Sequence, residues 1–208
     1  MKRGLFITVE GPDGSGKSTF AKYLEEQLKN VGIQYLMTRE PGGTRIGESV
    51  REILLNPEHL EMSARAEALL YAASRAQHVD ELIRPAIERG VTVICERFIL
   101  SSLAYQGYGR ELGHDAVAQI NDFAVGGLSP DITLFFSIDP EITLQRKALD
   151  PDRLEDAGEA FHRRVYEGYL QAVPHYRGTV HVIDATQSES DVCREGWQVI
   201  QGYLKGSE

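Results

Sequence analysis

The chain has 208 residues, 42% hydrophobic and 25% charged, with a formal net charge of -9. That is enough for one sizeable core, and the acidic balance argues against general binding to nucleic acid or a membrane surface, which favour basic partners. Two cysteines, Cys95 and Cys193, are too few for a disulfide framework. Met1-Lys2-Arg3-Gly4 leads straight into the first apolar run and no apolar run is long enough to span a bilayer, so a cytosolic protein is expected.

Leu5-Phe6-Ile7-Thr8-Val9 reads as a buried strand. It runs into Gly11-Pro12-Asp13-Gly14-Ser15-Gly16-Lys17-Ser18-Thr19, which fits the phosphate-binding pattern G-x-x-x-x-G-K-[ST] with Gly11, Gly16, Lys17 and Ser18 at the fixed positions. Glycines let backbone N–H groups turn inward around phosphate oxygens, and the following helix N-terminus adds partial positive charge. Lys17 suits the outer phosphates of ATP, and the Ser18 hydroxyl suits a magnesium ion.

Phe20, Tyr23, Leu24, Leu28 and Val31 then recur at helical spacing up to a stop at Gly32, and Ile33 to Met37 reads as a second strand. The loop Arg39-Glu40-Pro41-Gly42-Gly43-Thr44 follows at that strand's carboxyl end, where ligands of open α/β sheets bind. Ile46, Val50, Ile53 and Leu54 predict a short helix ending near Asn56-Pro57. A longer helix is expected from Ser63 to Arg89, with an apolar stripe of Leu69, Leu70, Ala73, Val79, Leu82, Ile83 and Ile87 and a kink or late break at Pro85. Tyr71 and Arg75 share a face of it; by themselves they read as a core aromatic beside a solvated arginine.

Val91 to Cys95 is a third strand ending in Glu96-Arg97, a carboxylate placed to hold magnesium or its water shell and an arginine placed to clamp a phosphate. Ser101 to Gly107 would line a pocket or form the first turns of a surface helix. Asp115 to Val125 predicts a helix stopped by Gly126-Gly127, Ile132 to Ile138 a fourth strand, and Asp139-Pro140 a helix start. Gln145 to Gly158, dense in charge and poor in apolar residues, reads as a mobile lid or a solvated loop. Glu159 to Val173 returns to helix, Val180 to Asp184 is a fifth strand, Ser188 with Asp191 resembles a capping box, and Trp197 packs on the core. Strands alternating with helices predict an α/β protein of P-loop NTPase type: a five-stranded parallel sheet flanked by helices on both faces, with a lid, as one domain over residues 1–208.

A phosphate loop serves GTPases, motors, small-molecule kinases and silent regulators alike. The guanine-reading Asn-Lys-x-Asp sequence does not occur here, and a small chain with a second arginine-bearing site and a charged lid fits phosphoryl transfer to a small acceptor. Glu10 to Thr19, Thr38 to Thr44, Ala72-Ala73-Ser74-Arg75, Glu96-Arg97-Phe98, Ala104-Tyr105-Gln106-Gly107, Pro130-Asp131 and Asp152-Arg153-Leu154-Glu155 together resemble the bacterial thymidylate kinases, with similarity running to Tyr203.

The resemblance implies ATP plus dTMP giving ADP plus dTDP, with magnesium held by Ser18 and Glu96, and a homodimer. It places the dTMP phosphate on Arg97 with Arg39 and Arg51 nearby, thymine on the Tyr71 ring, a thymine carbonyl on Arg75, and the pyrimidine edge on Ser102 and Gln106. Tyr105 would crowd a ribose 2′-hydroxyl, and Asp13 would face the 3′-hydroxyl of the sugar. Relatives usually carry aspartate where Glu96 stands, often phenylalanine at Tyr71, more lid arginines, and in some cases an arginine at Gly14. The missing charge is therefore expected from Arg153, with Arg146 and Lys147 in reserve. Rival readings are another deoxynucleotide or deoxynucleoside kinase of this architecture, or a catalytically silent nucleotide-binding module.

Overall fold

The computed structural model describes residues 3–143, 153–154 and 157–206. Five strands form one parallel sheet: β1 (Phe6–Glu10), β2 (Tyr35–Arg39), β3 (Thr92–Glu96), β4 (Ile132–Ser137) and β5 (Val180–Asp184), in the order β2-β3-β1-β4-β5. Every residue of β1 is buried, as expected of a central parallel strand covered on both faces. The sheet edge shows why β2 starts two residues later than its apolar run suggests: the Ile33 N–H still donates to Leu28 O and so closes the preceding helix.

That helix, α1 (Lys17–Asn30), packs Phe20, Leu24 and Leu28 against Val9, Ile94, Leu134 and Phe136. Trp197 and Ile200 of the last helix, numbered α9 below (Glu189–Gly206), close the same layer. On the opposite face Phe6, Val93, Cys95 and Phe98 meet Val79, Ile83, Ile87 and Val125. A third cluster of Leu100, Tyr105, Phe135, Phe161, Val165 and Tyr169 underlies the carboxyl ends of the strands.

The expected long helix is present as three pieces. After α2 (Arg45–Leu55) comes α3 (Ala64–His78), then a π-helical turn at Val79–Ile83, then α4 (Arg84–Glu88). Pro85 has no N–H to donate, and the wider π turn just before it absorbs that loss without a break. A second π-helical turn, Leu103–Gly109, follows the short α5 (Ile99–Ser102). It is largely buried, so this stretch lines the interior and is not a surface helix. The remaining α-helices among the described residues are α6 (His114–Val125), stopped by left-handed Gly126, α7 (Pro140–Thr143), α8 (Glu159–Ala172) and α9; Ser188 Oγ accepts the Asp191 N–H at its start. Most of the expected lid, including Arg146 and Lys147, lies outside the described residues.

Candidate active site

The phosphate loop leaves β1 at Gly11, whose φ of +145° and position 2.6 Å from the Phe136 carbonyl oxygen (measured from where a Cβ would lie) exclude any side chain. Gly16, with φ +91°, opens α1. Lys17, 4% exposed, donates from Nζ to Pro12 O at 2.7 Å. Burial, reinforced by the neighbouring Arg97 charge, pushes its amine down to about 8 against the pull of Asp13, Glu96 and Glu10. Ser18 Oγ lies 3.3 and 3.2 Å from the two oxygens of Glu96, the last residue of β3.

Parallel registry sets the next layer. Val9 lies opposite Glu96 and Arg39 lies opposite it from the other side, so the ends of β1, β2 and β3 converge. Arg97, the next residue, is held at φ +67°, a left-handed conformation costly for arginine. Its backbone N–H donates to Val9 O at 2.9 Å. Its guanidinium reaches across to the phosphate loop, donating to Gly11 O at 2.9 Å, to Asp13 at 2.5 Å, to Ser101 and Tyr169 at 3.2 Å each, and to Tyr105 at 3.3 Å. Tyr105 in turn donates to Asp13 at 2.8 Å and lies under the guanidinium. Burial would raise the Asp13 carboxyl, but Arg97, Lys17 and the Tyr105 hydroxyl outweigh it and hold it well below the usual carboxylate range. Beneath them the wholly buried Glu10 accepts from Phe98 N and Ser101 Oγ; its burial raises it, only partly offset by those bonds and by Arg97 and Arg75.

A cavity of about 190 Å³ opens beside this arginine. It is lined by Asp13, Arg39, Arg51, Tyr71, Arg75, Glu96, Arg97, Ser102, Tyr105 and Gln106, together with Glu40, Pro41, Leu55, Ser101 and Leu154. The structure thus gathers all nine residues expected at dTMP into one hollow next to the phosphate loop. Arg51 also donates to Pro41 O, and the half-exposed Arg39 pairs with Glu48 at 3.0 Å.

Two expectations for α3 are corrected. Arg75 is not solvated but 1% exposed, and each of its three side-chain nitrogens has a partner. Nε and Nη2 meet Glu40 Oε2 at 2.7 and 2.6 Å, Nη1 donates to Ser102 at 2.9 Å and to Asn121, and Nη2 donates to Phe98 O at 3.0 Å. The buried face of α3 carries Glu67, Tyr71, Ser74, Arg75 and His78 beside the small Ala68 and Ala72, whereas Leu69 and Ala73 face outward. A polar stripe can be buried because each group finds a partner: His78 meets Glu40 and Thr38, and Glu67 meets Gln106, Arg110 and Arg153.

Arg153, the candidate for the missing charge, is paired in this structure: its Nη2 lies 2.8 Å from Glu67 Oε2, its Nε donates to Leu54 O at 2.9 Å, and it is absent from the cavity lining. The sequence reading assigned no role to Glu67, Asn121, His78 or Tyr169. For the first and third a signal was available, because they stand at helical spacing from Tyr71 and Arg75 on the same face. Tyr169, whose hydroxyl meets Ser101, Arg97 and Gly11 O, arrives from α8 with no such signal.

Comparison with known proteins agrees with this geometry. The family model described as Thymidylate kinase matches residues 9–195. A thymidylate kinase of Lactobacillus helveticus is 52% identical, covering 93% of each chain. Thymidylate kinases of a Geobacillus strain and of Clostridium novyi are 48% and 46% identical, each covering 98% or more of both chains. A family model that spans most of the chain and this extent of identity to curated relatives place the chain in the thymidylate kinase family.

Proposed function

We propose that the chain transfers the γ-phosphoryl group of ATP to the 5′-phosphate of dTMP, giving ADP and dTDP, and that all 208 residues act as one catalytic unit. The observation that carries this is Arg97, which touches the phosphate loop through Gly11 and Asp13 while lining the acceptor cavity. A guanidinium in that position can bind the acceptor phosphate and bring it in line with the donor, which is the main work of phosphoryl transfer.

The loop from Gly11 to Thr19 cradles the phosphates of ATP, with Lys17 on the outer ones. Arg39 and Arg51 support Arg97 at the acceptor phosphate. Tyr71 stacks on thymine, Arg75 and Ser102 meet its carbonyl side, and Gln106 reads its edge. Tyr105, clamped on Asp13, sits where it crowds a 2′-hydroxyl, and Asp13 faces the 3′-hydroxyl. Each nitrogen of Arg75 already has a partner, so a thymine carbonyl would displace or share one; of these partners Glu40 and Ser102 also line the cavity. Arg153 would reach the transferring group only if its pair with Glu67 opened.

The Ser18 hydroxyl and Glu96 carboxylate, facing each other at the end of β3, are hard oxygen donors of the type magnesium takes. Magnesium held by these two residues would supply positive charge against the outer phosphates. The outward-facing Ile46 and Ile53 of α2, Leu69 of α3 and Phe123 of α6, on helices packed in that order, support a homodimer through this face. No helix among the described residues is long and apolar enough to cross a membrane, and a cytosolic location is part of this proposal.

The test is a coupled ADP-release assay with ATP and magnesium against dTMP, dUMP, dCMP and thymidine. dTMP should be the best acceptor and thymidine inert, since a nucleoside offers Arg97 no phosphate. Preference for thymidine, or no turnover with dTMP, would overturn the reading.

A further inference from the structure

Glu67 is a wholly buried carboxylate one helical turn from Tyr71 that does not line the cavity. Three side chains from elsewhere converge on it. Gln106 Nε2 donates to its Oε1 at 2.9 Å, Arg110 Nε lies 3.1 Å from its Oε2, and Arg153 Nη2 lies 2.8 Å from that same oxygen. Two guanidiniums would suffice to balance the charge. The Gln106 bond has a different consequence.

A carboxylate flanked by two guanidiniums offers acceptors only, so the end of the Gln106 amide turned toward it must be the nitrogen. That assignment follows from chemistry and does not depend on telling amide nitrogen from oxygen. Gln106 is 1% exposed, lines the cavity and cannot turn over without setting its oxygen against the carboxylate. The end it offers to a ligand is therefore its carbonyl, an acceptor. Pyrimidines differ at the complementary atom: N3 of thymine or uracil carries a hydrogen, whereas N3 of cytosine is itself an acceptor.

We infer that Glu67 is a positioning residue for base selectivity: it fixes the Gln106 amide with its oxygen toward the base, so that the site takes a pyrimidine with a hydrogen on N3 and refuses cytosine. This rests on Gln106 reading the base edge. Glu67 touches no substrate and acts only through the amide it holds.

The test is kcat/KM for dTMP, dUMP and dCMP with the full-length chain. In Glu67→Gln the residue at 67 can donate as well as accept, so Gln106 is free to flip. The dTMP-to-dCMP preference should fall by about tenfold or more, mainly through the KM values, while dUMP follows dTMP. Glu67→Asp still only accepts and should keep the preference to within about threefold. An equal loss with all acceptors in Glu67→Gln, an unchanged preference there, or the same collapse in Glu67→Asp would each overturn the inference.

Gln106→Met separates the role of the amide from that of Glu67. If it leaves the preference intact, Gln106 does not read the base. If it abolishes the preference while Glu67→Gln does not, only the role of Glu67 fails. Should Glu67→Gln not fold, the wild-type chain answers: a Gln106 side-chain amide protected from solvent exchange supports the bond, and free exchange overturns it.

Discussion

At the phosphate loop the groups proposed to act are backbone N–H donors and one lysine, set in place by glycines within a few residues of one another. At the acceptor cavity they are long side chains from α2, α3, the end of β3 and the second π-helical turn, several of them held by a buried partner far away in sequence. Arg75 meets Glu40 across 35 positions and Gln106 meets Glu67 across 39. The loop keeps its shape through backbone conformation, and the cavity keeps its shape through a polar network in which one missing member strands another. Function and stability should therefore come apart at the loop and stay coupled at the cavity.

The largest effect expected is at the loop. Lys17→Ala should lower turnover by about 10³-fold or more, since it removes a preorganised cation aimed at charge on the transferring group. Its melting temperature should stay close to wild type, because among the described residues the Nζ it removes is hydrogen-bonded only to Pro12 O. Steady-state kinetics beside a thermal melt would check both halves, and turnover near wild type would remove Lys17 from the mechanism.

The matching change at the cavity is Arg75→Leu. Among the described residues it leaves the buried Glu40 side chain with His78 alone, and it takes a partner from Ser102 and Asn121. Breaking a buried pair in this way costs about 3–5 kcal/mol, readable as a lower urea midpoint with an unchanged slope. Adding Glu40→Leu should recover part of that loss, since the stranded carboxylate goes with it, yet dTMP binding should stay poor. A single-variant cost under about 1 kcal/mol would mean that the network does not hold the cavity together.

The same contrast explains what could be read in advance. Gly11, Gly16, Lys17 and Ser18 are legible because a backbone cradle demands particular residue types at fixed short spacing. The sheet was legible because buried parallel strands are continuous apolar runs, although the β2 boundary moved with one hydrogen bond at Ile33. The buried face of α3 was not, because hydrophobic periodicity treats Glu67, Arg75 and His78 as solvent-seeking and takes the outward Leu69 for core. Only the identity of their partners reverses that sign, and partners from other helices carry no periodic signal. The pairing of Arg153 was illegible for the same reason: Glu67 is 86 residues away.

The smallest effect joins the two regions through Arg97, whose charge acts with burial to lower the Lys17 amine to about 8. Below that pH Lys17 is a cation ready for phosphate; above it the free enzyme loses the charge. The ATP kcat/KM should therefore decline on the alkaline side of about pH 8, approaching tenfold per pH unit. Asp13, held well below the usual carboxylate range, stays ionised and adds no limb near neutrality. Stability should move the other way. The folded amine titrates near 8 and an exposed lysine near 10.5, so between them the unfolded chain binds the extra proton, and this group's contribution to stability rises with pH by roughly 1 kcal/mol per unit. Bound phosphates favour the charged amine, which should carry the corresponding limb in kcat to higher pH. Lys17→Arg keeps a cation throughout and should flatten the alkaline limb of whatever activity remains; a limb that persists in that variant would assign the titration to another group.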